Sequence, residues 1–285
     1  MKYAAPKSVE EAVALLGSEP DTNVFAGATD IVPQMRGGRH EPKLLVDLKS
    51  IPRLVDLGCE NDTWTVGAAR PIASIAGDKD FKADFPGIAE ASALIGSDQI
   101  QNRASLGGNV CTASPGADSV PALIVNDAQA VIASNGGTRT IPVSEVATGP
   151  QQNSLAAGEF IIEFTIARPA PRTSDAYERF TPRTEMDIAV VDAGARITLD
   201  ENNNCKEATI TVGAAAPTVV RVPAAEDALR GQPINEATLA AVSAAASAAC
   251  NPINDKRGTI EYRRQVAGVL AKRVVILAAE RARNK

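Results

Sequence analysis

The run "ASLGGNVCTASPGAD", Ala104 to Asp118, holds three glycines and no histidine, lysine or arginine. Backbone can turn sharply, or let other atoms come close, only where Cβ atoms are missing. Any fold for this chain must therefore bring a ligand or another stretch of backbone against this run, unless it is a plain loop. A second small-residue stretch, "FAGATDI" (Phe25 to Ile31), directly follows the predicted strand "TNVFAG". Both stretches mix small residues with hydroxyls: Thr29 in one, and Ser105, Thr112, Ser114 and Ser119 in or beside the other. Successive N–H groups in such turns form an anion-binding concavity, which suits a pyrophosphate and needs no charged side chain. Neither stretch matches G-x-G-x-x-G or the P-loop pattern, so a Rossmann or Walker reading fails. Asp118 suits two roles, accepting hydrogen bonds from ribose hydroxyls or capping a helix predicted in "SVPALIV".

Other chemistries are scarce. His40 is the only histidine, and the four cysteines (Cys59, Cys111, Cys205, Cys250) form no C-x-x-C pair. A histidine-based metal site, a Ser-His-Asp triad and a cysteine-held cluster are all disfavoured, and His40 reads as a surface residue. Any redox chemistry here falls to a cofactor. A net charge of −5 argues against nucleic acid as the main partner. From Asp255 to Lys285 there are nine Lys/Arg against three Asp/Glu, a basic segment read mainly as a solvated helix face and otherwise as a docking surface. No apolar stretch approaches the ~20 residues of a membrane span, and a cytoplasmic location is expected.

The patterning predicts an α+β chain. Ser8 caps a helix over "VEEAVALLG", with Glu11 as its capping-box partner. Strands are expected in "TNVFAG", "KLLVDLKSI", "DTWTVGAA", "AQAVIAS", "RTIPV" and "EFIIEFTI". A helical stretch breaks at Phe85-Pro86, and "SNGGT" reads as a hairpin turn. "ARPAPRTSDAY", 167–177, reads as a linker or exposed crossover. Beyond it, "IAVVDAGARITLD" and "EATITVGAAA" form an antiparallel hairpin, followed by helices at 224–230, 235–250 and 258–283. The last helix shows Ile260, Val266, Val269, Leu270, Val274 and Leu277 at helical spacing. The domain boundary is expected near residue 170.

The run "GSDQIQNRASLGGNVCTASPGADSVPAL", Gly96 to Leu123, closely resembles the FAD-binding medium subunit of the molybdenum hydroxylases, of the carbon monoxide dehydrogenase and xanthine dehydrogenase type. "FAGATDI" is similar to that family's A-G-G-T-D-L, and "YERFTPRTEMDIAVV" and "RGTIEYRRQVAGVLAKR" to its C-terminal landmarks. The resemblance implies a fold of the vanillyl-alcohol-oxidase (PCMH) type. Residues 1–170 would be the FAD-binding domain, as two α+β subdomains of about 1–55 and 56–170. Residues 171–285 would be a C-terminal domain with a small antiparallel sheet and helices. It further implies that the FAD pyrophosphate lies between Ala26, Gly27, Ala28, Thr29, Asp30 and Ile31 on one side and Ser105, Leu106, Gly107, Gly108 and Asn109 on the other. Ser114 would belong to the same site, Asp118 would meet the ribityl or ribose hydroxyls, and Ile95 and Ile161 would lie against the cofactor. Two positions depart from the family's pattern. Ala28 stands where glycine is commoner, and Arg179 where many relatives have a lysine near the flavin.

The function so implied is electron transfer, with no catalytic side chain and no metal on this chain. A molybdenum-containing large subunit would hydroxylate the substrate, and an iron–sulfur small subunit carrying [2Fe-2S] clusters would pass electrons to the FAD. NAD⁺, a quinone, a cytochrome or O₂ would then accept them. The family's usual assembly is a hetero-hexamer of three subunit types in two copies. The first alternative is a stand-alone flavin-dependent oxidoreductase of the same superfamily, which needs a general acid such as Glu163 or Glu185. The second is a non-catalytic interaction module with degenerate cofactor loops.

Overall fold

A computed structural model describes all 285 residues. The Ser8 hydroxyl accepts from the Glu11 N–H at 3.1 Å and starts the helix Val9–Ser18, while the Glu11 carboxylate reaches back to the Lys7 N–H at 2.7 Å. This helix follows the strand Lys2–Ala4 and leads to Thr22–Phe25. A short helix, Ile31–Arg36, precedes the strand Leu44–Asp47. The short helix was not expected, because six residues with Pro33 among them show no helical periodicity. The three strands form a parallel sheet in the order first, third, second. Its core is small and borrows Ala133, Phe160 and Ile162 from the next sheet, so this subdomain leans on its neighbour.

The second sheet is antiparallel, in the order Leu57–Glu60, Thr63–Gly67, Phe160–Ala167, Gln129–Ser134, Gly137–Pro142. The expected hairpin turn lies between Ser134 and Gly137, where Gly137 adopts φ +110°. Helices Ile72–Ala76, Lys79–Asp84 and Pro86–Ala93 cover this sheet. Pro86 cannot donate a backbone hydrogen bond, so the second helix stops at Phe85 and the third starts on the proline.

The segment read as a linker is one only over residues 168–172. Thr173–Phe180 is a strand, the first in a four-stranded antiparallel sheet with Val191–Leu199, Cys205–Gly213 and Val220–Arg221. Its polar start is misleading because Thr173, Ser174 and Asp175 are buried, and the Thr173 hydroxyl and the Asp175 carboxylate find partners inside the protein. The two Asp175 carboxylate oxygens accept from the Gly87 N–H at 3.0 Å and Asn126 Nδ2 at 2.7 Å. Helices Pro223–Leu229, Glu236–Ala249 and Ile260–Arg283 complete this unit. The last helix buries a face of Ala267, Gly268, Ala271, Val274 and Ala278, while Val269, expected on the apolar side, is 49% exposed. Gly268 is needed there, since a Cβ would come within 2.6 Å of the Ser243 and Ser247 hydroxyls. Several of its basic residues are tethers and not a solvated face. Arg263 is buried and donates to the Val190 and Ala214 carbonyls and to Asp255, and Arg281 grips Glu90 and the Asp175 carbonyl.

Candidate functional site

A cleft of about 770 Å³ runs between the parallel sheet and the five-stranded sheet. Its walls bring together Ala26, Gly27, Ala28, Thr29, Asp30, Ile31, Ile95, Ser105, Gly107, Gly108, Asn109 and Ile161 from segments far apart in the chain. Leu106, Ser114, Asp118 and Arg179 are not on these walls. Thr112, one of the loop hydroxyls, is also on the wall, whereas sequence reasoning missed His40 and the segment Leu155–Phe160. His40 in particular is a cleft residue, where a surface position was expected; no local signal marks it, because the turn after Arg36 carries it there.

The two loops touch at Gly27. A Cβ on this residue would lie 2.0 Å from the Arg103 carbonyl oxygen, a backbone atom that cannot swing away. Ala28 takes φ +62°, in the left-handed region that costs an L-residue roughly 1–2 kcal/mol. The conformation has a consequence for hydrogen bonding. The N–H groups of Gly27, Ala28, Thr29 and Asp30 make no hydrogen bond within the chain. Successive free donors on a turn with one positive φ form a cradle for an anion, and a pyrophosphate fits that donor set. The Asp30 carboxylate is taken up by the Gln34 amide at 2.6 Å.

The second loop is built differently. Leu106–Cys111 is a short helix capped by the Ser105 hydroxyl, which accepts from the Gly108 N–H at 3.1 Å. The Gly107 N–H donates to the Ala68 carbonyl at 3.0 Å, and a Cβ there would come within 2.6 Å of the same oxygen. The Asn109 N–H is used by Ser105 O, and its side-chain oxygen accepts from the Ser119 N–H and hydroxyl. Most amides of this loop are thus already satisfied. Gly108 is exposed on the cleft, and a Cβ there would meet only the Ser105 hydroxyl, at 3.3 Å. The first loop supplies the free donors and the second a flat glycine surface.

Asp118 is 7% exposed, and its oxygens accept from the Tyr177 hydroxyl at 2.7 Å and Arg179 Nη1 at 2.8 Å. It makes no side-chain capping bond to the helix Ser119–Val125 that follows. Any ribityl hydroxyl reaching it would share an oxygen with Tyr177 or Arg179. Burial raises its pKa, and the Arg179 charge and the two hydrogen bonds oppose that rise. Behind the cluster, Asp192 is fully buried with neither oxygen hydrogen-bonded, and burial followed by the nearby Asp118 charge pushes its pKa well up. Ser114 accepts from the Gly116 N–H, and Leu106 is buried beneath the second loop.

Two other cleft groups are chemically quiet. Glu159 is held ionised, its pKa lowered to about 2 by hydrogen bonds from Arg139 first and then by the Ala156 N–H. Burial pushes the Cys111 thiol up to about 12, so it stays protonated. No group of three or more His, Cys, Asp or Glu is placed to hold a metal ion, and no helix is long and apolar enough to cross a membrane.

Comparison with known proteins accounts for nearly the whole chain. The family model described as the FAD binding domain in molybdopterin dehydrogenase matches residues 1–169, and that of the CO dehydrogenase flavoprotein C-terminal domain matches 175–278. The carbon monoxide dehydrogenase medium chain of Hydrogenophaga pseudoflava is 31% identical over 276 residues, covering 96% of this chain and 95% of that one. The 6-hydroxypseudooxynicotine dehydrogenase complex subunit alpha of Paenarthrobacter nicotinovorans is 30% identical over 282 residues, covering 99% and 95%. A solved structure of carbon monoxide dehydrogenase from Hydrogenophaga pseudoflava superposes with a TM-score of 0.94 at 32% identity, over 99% of this chain and 98% of that one.

Proposed function

Because this chain belongs to the FAD-binding medium subunits of the molybdenum hydroxylases, we propose that it is the electron-transfer subunit of such a complex. In this reading it takes electrons from [2Fe-2S] clusters on a small partner subunit and passes them to an external acceptor. A large partner subunit with the molybdopterin cofactor carries out the hydroxylation. Bound FAD supplies the redox chemistry, accepting and releasing electrons singly or in pairs.

The observation that carries this proposal is the division of the cleft wall. The free N–H groups of Gly27, Ala28, Thr29 and Asp30 would hold the pyrophosphate, and the Gly108 surface would let the cofactor lie close. Ile95 and Ile161 present apolar side chains toward the same space. The chain's own contribution is thus to bind and orient. Arg179 does not offer a free positive charge to the flavin, since Asp118 already neutralises it within a buried pair.

A stand-alone flavoenzyme needs a proton donor near the reacting atoms. Glu163 is unsuited, because Arg53 holds its carboxylate by two hydrogen bonds, at 2.8 and 2.6 Å. Glu185 is exposed on a turn and is not on the cleft wall. The similarity to relatives named for carbon monoxide and for 6-hydroxypseudooxynicotine is nearly equal, which supports a substrate pocket on a partner chain. All four cysteines are free thiols, in keeping with the reducing cytoplasm proposed as its setting.

Co-purification from the native source, with mass spectrometry of the accompanying chains and assays for molybdenum and iron, tests the proposal. Two partner chains carrying both metals are expected. A yellow protein that turns over a substrate alone would contradict it.

A further inference from the structure

Outside the cleft, behind its first loop, lies a polar network with no role in the reading above. Lys49 Nζ donates to the Ala26 carbonyl at 2.6 Å and to Asp47 Oδ1 at 2.6 Å, and stands 4.5 Å from the centre of the Phe25 ring. Asp47 Oδ1 also accepts from the Lys49 N–H at 3.0 Å, and Asp47 Oδ2 from the Tyr3 hydroxyl at 3.0 Å. Asp47 is buried and the Lys49 side chain is 22% exposed. Phe25 from the end of the second strand and Asp47 from the third thus meet one ammonium group, and Tyr3 from the first strand supports Asp47.

We infer that Lys49 is a positioning residue for cofactor binding, which acts by holding the Ala26–Gly27 peptide with its N–H aimed into the cleft. The carbonyl and N–H of a trans peptide point in opposite directions, and the chain has no cis peptide bonds. Ala26 and Gly27 are on the cleft wall and Lys49 is not. A carbonyl drawn back to Lys49 therefore turns the Gly27 N–H the other way, toward the cleft, where it has no partner within the chain. The contribution is orientation and not charge, because Asp47 balances the ammonium in the same network. Without Lys49 the peptide is free to rotate, and the pyrophosphate must then pay for ordering the donor that meets it. The inference rests on the FAD reading of the cleft.

The test titrates the flavin-free full chain with FAD, with ADP, which keeps the pyrophosphate, and with riboflavin, which lacks it. Lys49→Met should weaken FAD and ADP alike by roughly 10- to 100-fold, the range for losing a charge-assisted hydrogen bond. Riboflavin affinity should stay within about twofold. Lys49→Arg, which can still donate to the Ala26 carbonyl, should recover most of the loss. FAD affinity unchanged in Lys49→Met would overturn the inference. An equal loss for FAD and riboflavin without recovery in Lys49→Arg would also overturn it, because it would make Lys49 a residue of the fold alone. A wild-type chain that takes up no FAD would overturn the cofactor reading and the inference with it, and the wild-type titration separates that failure from the other two.

Discussion

Replacing Gly108 with alanine should stabilise the flavin-free chain and at the same time weaken its hold on FAD. Gly108 lies within the short helix Leu106–Cys111, and alanine is favoured over glycine inside a helix by about 0.5–1 kcal/mol. The added Cβ meets only the Ser105 hydroxyl, at 3.3 Å, and that side chain can give by a few tenths of an ångström. A gain near 1 kcal/mol raises the melting temperature of a chain of this size by about 2 °C. On the cleft side the methyl takes up space that the cofactor is argued to fill. Overpacking costs typically about 1–3 kcal/mol, which corresponds to a loss in FAD affinity of roughly 5- to 150-fold. Thermal melts of the flavin-free protein and fluorescence titrations with FAD measure the two effects on one sample. Gly107→Ala is the control with the opposite expectation. Its Cβ would strike the Ala68 carbonyl at 2.6 Å, so stability should fall together with binding. A Gly108→Ala protein that is stabilised and binds FAD as tightly as wild type would refute the argument that the cofactor lies on this glycine.

Three further outcomes follow from the geometry. Ala28→Gly should relieve the cost of φ +62° and raise stability by about 0.5–1 kcal/mol after the glycine's larger unfolded entropy is counted, with FAD affinity kept or improved; a lower melting temperature would count against strain at this residue. Asp118→Ala leaves Arg179, with a side chain 4% exposed, as an unpaired buried charge, and should cost about 3–5 kcal/mol in chemical denaturation; a loss below about 1 kcal/mol would show that the pair is not a buried anchor. Burial first of all raises Asp175 from its ordinary 3.8 to about 6, so its protonated form is favoured in the fold. Stability from this group is full below about pH 4 and is lost as pH rises through about 6, a fall of about 3 kcal/mol across the window. Denaturation midpoints from pH 4 to 7.5 (roughly the span of that window) should show the fall in wild type and a flatter profile in Asp175→Asn; matching profiles would contradict it.

Much of the fold is legible in the residues because local chemistry and tertiary context agree. Ser8 caps as a serine should, Phe85-Pro86 breaks a helix where proline must, and "SNGGT" turns where glycine tolerates positive φ. Where they disagree, the sequence misleads. Thr173, Ser174 and Asp175 look like linker residues because their polarity is visible, whereas the Gly87 and Asn126 donors that satisfy Asp175 lie far away in sequence. The apolar stripe of the last helix is misjudged at Val269 because its buried face is made of alanine and glycine, set by close packing against Ser243 and Ser247. For the cleft, small residues and hydroxyls point to both loops, but not to how they divide the work. That division depends on Ala68, which takes the Gly107 N–H, and on Ser105, which caps its own helix. Asp118 carries a similar lesson. A carboxylate among small residues reads as a ligand contact or a cap, and only the fold reveals Tyr177 and Arg179 already holding it.

Whether this cleft grips a dinucleotide by its pyrophosphate is read out by calorimetric titration of the flavin-free full chain with FAD and with FMN. One FAD per chain is expected, with FMN weaker by roughly 100-fold or more, since FMN lacks the group that the free donors of Gly27 to Asp30 would hold. FMN binding as tightly as FAD would contradict it.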